Sequence, residues 1–228
     1  FSNFAGSDVT KIAYTINAMS AICSGFTILF LFWSITMLAK KFVKKPEEMT
    51  TAQMIAIFGS GLVGSLAYAF SDTFWYSAVE GEVYAMSSCF TAIVFWAILK
   101  WESQADDTHN LRWLLLIAFL IGISIGVHLL NLLAIPAVTY VYYFKKFPHV
   151  EKNKKKKFLL VGVISMVLVA FILYFVVPYI VILAGKFEIF FTNSLNAPFN
   201  TGTIVYFVLL IAAIAFGLYY STKKNKPV

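Results

Sequence analysis

Carboxylates and large aromatic side chains are concentrated in one short segment between two apolar stretches. Residues 71–89 read SDTFWYSAVEGEVYAMSSC. The acidic groups are Asp72, Glu80 and Glu82, and the aromatic groups beside them include Trp75 and Tyr84. A flat ring packs on the face of a sugar while carboxylates take its hydroxyl groups, and ionisable groups at a bilayer boundary are costly enough to indicate a function. The segment therefore predicts the rim of a binding site.

The same residues have simpler structural explanations, which the sequence leaves open. Glu82 precedes the apolar stretch that starts at Val83, so it can stabilise the positive end of a helix. Trp75 and Tyr84 can be the aromatic anchors that membrane helices carry at the membrane surface. Glu80 and Glu82 would point about 200° apart on a continuous helix, so they cannot pair on one helical face.

A second polar group lies inside an apolar stretch. The segment GISIGVHLLN, residues 122–131, contains His128 and, three residues later, Asn131. A histidine at membrane depth either joins helices by hydrogen bonds or serves a function, and the nearby amide keeps both interpretations open. We take the two residues as a second candidate binding group. The sequence shows no zinc-ligand spacing, phosphate loop or dinucleotide fingerprint, and a divalent metal stays open.

The composition indicates that membrane helices position these residues. The chain is 60% hydrophobic and 13% charged, whereas soluble domains are roughly 45–50% apolar and about 25% charged. We therefore predict an integral membrane protein. The net charge of +7 comes from lysines grouped at the ends of apolar stretches, which is typical of topology signals and does not indicate a nucleic-acid partner.

Seven apolar stretches divide the chain, judged against the roughly 20 residues that a helix needs to cross about 30 Å of hydrocarbon. They are Ile12–Ala39, Ala52–Phe70, Val83–Lys100, Leu111–Ile125, Val127–Phe144, Phe158–Ala184 and Thr203–Tyr220. Every backbone polar group in lipid must be bonded within its own segment. We therefore predict an all-α polytopic bundle of about seven helices.

The fourth and fifth stretches determine the predicted topology. As one helix, residues 111–144 would place their flanking lysines on opposite sides of the membrane, whereas two short helices with a turn at residues 122–131 place all basic clusters on one, cytoplasmic side. The basic groups are Lys40, Lys41, Lys44, Lys45, Lys100, Arg112, Lys145, Lys146, Lys152, Lys154–Lys157, Lys223, Lys224 and Lys226. The N-terminus is then outside and the C-terminus inside. The outer face, where we expect chemistry, carries Asp8, Asp72, Glu80, Glu82 and Glu188.

Three segments resemble a known family. They are INAMSAICSGFTILFLFW, TFWYSAVEGEVYAMSSCFTAIVFWAILKWE and GISIGVHLLNLLAIPA, in residues 16–33, 73–102 and 122–137. They are similar to the bacterial branch of membrane proteins related to protein O-mannosyltransferases, within the C-type lipid-linked glycosyltransferases. The resemblance covers nearly all of residues 1–145, and beyond Lys157 it depends mainly on hydropathy.

The resemblance implies an enzyme that transfers a sugar, with mannose a candidate, from a polyprenyl-phosphate carrier in the membrane to a protein or glycan acceptor. The reaction would take place at the periplasmic or lumenal face, here most simply that of a bacterial inner membrane. The family's main catalytic carboxylate lies in a first outer loop after a first membrane helix. We therefore expect residues 1–228 to form a single transmembrane domain of a longer chain, inactive alone, with the main acid upstream of Phe1.

The resemblance also assigns roles to residues that this sequence contains. Glu80 and Glu82 match the acidic position before a helix and would support binding of donor or acceptor. His128 and Asn131 match a short-helix turn near the carrier phosphate. Asp72, Trp75 and Tyr84 complete the predicted substrate-binding set. Two other classes stay open: a seven-helix receptor or sensor, and a transporter with its site at the broken helix pair.

Overall fold

The computed structural model describes residues 2–43, 48–147 and 153–224, so Lys44, Lys45, Lys152 and Lys226 lie outside it. All regular structure in these residues is helical, which confirms the predicted fold class. The α-helices are α1 Val9–Lys40, α2 Thr51–Ala69, α3 Asp72–Val79, α4 Val83–Ser103, α5 Leu111–Ile125, α6 Ala134–Lys146, α7 Lys154–Phe171, α8 Val177–Leu195 and α9 Thr201–Lys224. The structure also contains the 3-10 turns Ser2–Ala5 and Leu129–Leu133 and the π-helical turn Ile172–Val176.

Several helices are long and apolar enough to cross a membrane. Within the described ranges there are five such segments, Val9–Lys40, Thr51–Ala69, Val83–Ser103, Lys155–Leu195 and Thr201–Tyr220, and Leu111–Ile125 is a shorter apolar helix. The chain is therefore an integral membrane protein with a helical bundle. It divides into two compact units, residues 1–154 and 155–228.

In the first unit, α1 lies between α2 and α4, and α4 also packs on α5 and α6. Small residues set the closest approach of α1 and α2. A Cβ atom on Gly61 would lie 2.6 Å from the Thr36 methyl group, and one on Gly64 would lie 2.8 Å from Ile35. The core of α4, α5 and α6 is built around Trp101, which is fully buried and stacks on Tyr142.

The lysine-bearing ends of α1, α4 and α6 meet at one end of this unit. Lys41 at the end of α1 forms an ion pair with Glu102 in α4, and Lys145 at the end of α6 lies 3.4 Å from Asp106. This is the arrangement that two short helices, in place of one long helix, were expected to produce. We call the opposite end, which carries residues 71–84 and 126–133, the rim.

Two local features differ from the prediction. Gly122 lies inside α5, which continues to Ile125, so the break between the short helices is confined to residues 126–133. The intrinsic cost of one helical glycine is only about 1 kcal/mol, so Gly122 does not have to end the helix. Helix α3 was not expected. It forms because Phe74 is buried and its ring packs on Tyr68, with centroids 4.5 Å apart.

In the second unit, a continuous helix of 41 residues, Lys155–Leu195, packs along α9 through α8. It extends beyond the predicted end at Ala184. The carboxylate of Glu188 accepts hydrogen bonds from the backbone N–H groups of Asn200 (2.6 Å) and Thr203 (2.9 Å). These groups are the first donors of α9, so Glu188 fastens the start of α9 to α8.

Candidate functional site

The rim brings two of the predicted binding residues into contact across the fold. The phenol ring of Tyr84, in the first turn of α4, lies 5.6 Å from the imidazole ring of His128, centroid to centroid, with 47° between the planes. Tyr84 is half exposed and His128 is partly buried. The start of α4 and the break between α5 and α6 therefore form one surface.

The backbone before the 3-10 turn orients His128. The residue is extended, with φ −160° and ψ 134°, and its Nδ1 accepts a hydrogen bond of 3.0 Å from the N–H of Leu130. The imidazole thus acts as an N-cap of the turn Leu129–Leu133. Nδ1 is engaged within the protein, and among the described residues Nε2 has no hydrogen-bond partner.

Asn131 is fully buried and ties this turn to two helices. Its Nδ2 donates to the hydroxyl of Ser124 in α5 at 2.7 Å, and its Oδ1 accepts from the hydroxyl of Thr91 in α4 at 3.0 Å. The Ser124 hydroxyl in turn donates to the carbonyl of Ile121. A buried amide with both ends bonded orients the backbone around it. Asn131 therefore fixes the position of His128.

The carboxylates of Asp72, Glu80 and Glu82 are all exposed at the rim. Asp72 is in the first turn of α3, Glu80 ends that helix, and Glu82 is the N-cap residue of α4. The Glu82 side chain makes no capping hydrogen bond, but as the N-cap residue it lies at the positive end of α4. Among the described residues, none of the three carboxylates is engaged in a hydrogen bond or an ion pair.

Asp8, unlike these three acidic residues, has a carboxylate that accepts hydrogen bonds. Its carboxylate accepts a 2.6 Å hydrogen bond from the Thr10 hydroxyl and a 3.0 Å bond from the Thr10 N–H, which caps α1. The Thr10 hydroxyl, followed by the backbone N–H groups of Lys11 and Thr10, lowers the pKa of Asp8 below its usual value. This carboxylate is therefore a structural cap.

A further side chain, Asn17 in α1, lies against the segment that joins α3 and α4. A Cβ atom on Gly81 would lie 3.1 Å from the Asn17 side-chain oxygen and 2.7 Å from Ile16. Only glycine fits so close to α1, and Glu80 and Glu82 flank it. Asn17 lies eight positions after Val9, so about 12 Å of α1 extends past this level.

Trp75 lies on another side of the rim. Its ring stacks on Phe70 with centroids 6.0 Å apart and 16° between planes. It borders a cavity of about 280 Å³ under α3, formed also by Phe74 and Ala78. Within the described ranges, no ring contact joins Trp75 to Tyr84 or His128.

Below the Tyr84–His128 pair, a lateral cleft of about 500 Å³ separates α2 from α4 over the face of α1. Leu130 borders it at the top, and Phe95 lies deeper in α4. Six hydroxyl-bearing side chains line the cleft, namely Thr27, Ser34, Tyr68, Ser87, Ser88 and Thr91. Because Tyr84, Ser88 and Thr91 are spaced by four and three residues, they share one face of α4. The aromatic pair therefore lies directly above the cleft.

The part of the chain that the structure describes contains no preformed cluster of metal-binding side chains. There, no three histidine, cysteine or carboxylate side chains come together as a ligand set.

Sequence reasoning missed Asn17, Phe70 and the hydroxyl lining of the cleft. Ser88, Thr91 and Phe95 are spaced by three and four residues, which places them on one helical face. The sequence therefore did contain a signal for this part of the cleft lining. The contact of Asn17 with Gly81 had no signal, because it joins residues that are distant in sequence.

Comparison with protein families gives one match. Residues 1–151, about two thirds of the chain, match the family model described as "Protein O-mannosyl-transferase TMEM260 N-terminal domain". No curated protein and no solved structure matches the chain.

Proposed function

Since this chain belongs to the family of the protein O-mannosyl-transferase TMEM260 N-terminal domain, we propose that it is the membrane core of a glycosyltransferase that uses a polyprenyl-phosphate sugar. The family supports a glycosyltransferase-like role. The carrier, the protein or glycan acceptor and the outer face of reaction are parts of our proposal. The supporting observation is the lateral cleft below the Tyr84–His128 pair.

The cleft suits a lipid-linked donor because it extends from the membrane interior to the rim. Its deeper wall includes Phe95 and Leu31 at membrane depth, while Tyr68 and Leu130 border it near the rim. An isoprenoid chain can enter sideways between α2 and α4 without crossing the bundle. Its phosphate and sugar then lie at the rim, where polar groups can reach them.

The reaction then follows from the chemistry of a glycosyl phosphate. The acceptor hydroxyl oxygen bonds to the anomeric carbon while the bond from that carbon to the phosphate oxygen breaks, so the lipid phosphate leaves. A general base takes the hydroxyl proton. The family resemblance assigns this base to a carboxylate in a first outer loop. Glu80 and Glu82 are assigned to binding of sugar or acceptor hydroxyls, because their carboxylates are exposed and unengaged.

Filling the cleft tests this assignment. In the full-length protein in membranes, Ala92→Phe adds a ring at the cleft wall and should reduce sugar transfer from polyprenyl-phosphate-mannose at least about tenfold. Val63→Phe is the matched control, because Val63 is 70% exposed and does not border the cleft. Radiolabelled sugar transfer measures both. Equal transfer by Ala92→Phe and the wild type would remove the cleft from the donor site.

A further inference from the structure

The contacts of His128 determine which of its nitrogens carries a proton. A backbone N–H can only donate, so Nδ1, which accepts from Leu130 at 3.0 Å, must present its lone pair. A neutral imidazole then carries its hydrogen on Nε2. An imidazolium ring would turn an N–H towards the N–H of Leu130 and break the cap. With Nδ1 as the acceptor, Nε2 is the ring nitrogen that can donate.

Two further contacts hold this donor in one place. Tyr84 packs against the imidazole with ring centroids 5.6 Å apart. The turn that His128 caps is tied to α4 and α5 by the buried amide of Asn131, through Thr91 and Ser124. A donor held by its surroundings costs little reorganisation when it binds a charge.

The two rim segments next to this donor contain no cationic side chain. Residues 68–91 and 124–133 include neither lysine nor arginine. Lys11, at the start of α1 on the same end of the unit, pairs with Asp8 at 3.7 Å. Within residues 68–91 and 124–133, the donors that an anionic group at the mouth of the cleft can meet are therefore neutral. His128, which carries the Nε2–H group, lies two residues before Leu130. Leu130 borders the cleft.

We propose that His128 binds an oxygen of the lipid-linked substrate as a fixed neutral hydrogen-bond donor through Nε2, and that it does not act as a proton acceptor. This inference depends on the proposed function, since it takes the phosphate ester of the carrier as the group at the cleft mouth. As the phosphate leaves, its oxygens gain charge, and a preformed donor stabilises that charge. Asn131 acts through His128 and is a positioning residue.

Two substitutions separate the two nitrogens. In His128→Asn, the side-chain oxygen can take the place of Nδ1 and keep the cap, since asparagine is among the preferred N-cap residues, but no donor reaches the position of Nε2. In His128→Gln, the amide nitrogen can reach the position of Nε2, whereas the cap is lost. Both variants introduce a carboxamide group, and they differ in which imidazole nitrogen this group replaces.

The experiment uses the full-length protein in nanodiscs, with a short-chain polyprenyl phosphate without sugar as the binding probe. A hydrogen bond to a charged group corresponds to about tenfold to a hundredfold in affinity. We expect His128→Asn to retain the wild-type melting temperature and to lose that factor in affinity. His128→Gln should melt lower and bind the probe within about threefold of the wild type.

Other results overturn the proposal. Wild-type affinity in His128→Asn would exclude the donor role. Loss of sugar transfer in both variants with unchanged affinity for the probe would indicate a base. If the wild-type protein neither binds the probe nor transfers sugar, the proposed function itself fails, and this result is distinct from a failure of His128 alone.

Discussion

At the scale of single residues, hydrogen bonding divides the acidic side chains into two kinds. Asp8 and Glu188 accept hydrogen bonds at the starts of α1 and α9 and so replace missing helical partners. Asp72, Glu80 and Glu82 are exposed at the rim. An acidic side chain that accepts no hydrogen bond in the described residues is the better candidate for binding a hydroxyl group or a cation.

Glu82 gives the clearest test at this scale. Glu82→Gln in the full-length protein should lower sugar transfer at least about tenfold, because the amide keeps the volume but loses the charge. Its thermal unfolding should stay unchanged, since exposed side chains without partners usually contribute within about 0.5 kcal/mol. Glu102→Gln is the control at the opposite end, where it removes the ion pair with Lys41 and should leave transfer intact. Normal turnover by Glu82→Gln would exclude Glu82 from the site.

At the scale of helices, apolar length predicted most elements well. The stretches Ala52–Phe70 and Leu111–Ile125 coincide with α2 and α5 almost residue for residue. Composition alone determines such spans, because a membrane helix needs about 20 apolar residues and its ends are marked by charge. Helix α3 and the turn at Leu129–Leu133 could not be predicted this way, since they depend on tertiary contacts of Phe74 and Asn131.

The candidate site, too, could be predicted only where it does not depend on tertiary contacts. Tyr84 and His128 were each selected from the sequence, but their contact joins two elements whose relative placement no local pattern encodes. The polar capacity of Asn131 is fully used within the protein, so its assignment as a substrate ligand stays a prediction that the burial disfavours. Hydroxyl groups at helical spacing in α4 were readable and were overlooked.

Glycine spacing gives a prediction for the packing of α1 and α2. Gly61→Leu would press against Thr36 and Phe32 and should destabilise the protein by about 1–3 kcal/mol, the usual cost of overpacking. Gly59→Leu is the matched control, because a Cβ atom there meets nothing within 4 Å. Thermal unfolding in detergent compares the two variants. Equal melting temperatures would mean that α1 and α2 are not in close contact at Gly61.

At the scale of the whole molecule, sidedness determines how the rim can work. The ion pairs of Lys41 and Lys145 place the basic ends of α1 and α6 together, away from Tyr84 and His128. If basic residues mark the cytoplasm, the rim faces outward. The bacterial inner membrane and the periplasmic face stay predictions.

Cysteine labelling on intact cells tests the orientation. After Cys23 and Cys89 are replaced by alanine, Thr73→Cys in α3 should react with a membrane-impermeant maleimide from outside. Thr108→Cys, in the exposed loop between α4 and α5, should react only after permeabilisation. The reverse pattern would place the rim in the cytoplasm and contradict the proposed site of transfer.

The π-helical turn in the second unit has a consequence for helical phase. The N–H of Val177 donates to the carbonyl of Ile172, five residues back, and Pro178 follows with no N–H to donate. One extra residue in a turn rotates everything after it by roughly 100° relative to a regular α-helix. The side of α8 that carries Glu188 is therefore set by this single added residue. A chain shortened by one position there would turn α8, together with Glu188 and its partners Asn200 and Thr203, by roughly 100° relative to α7.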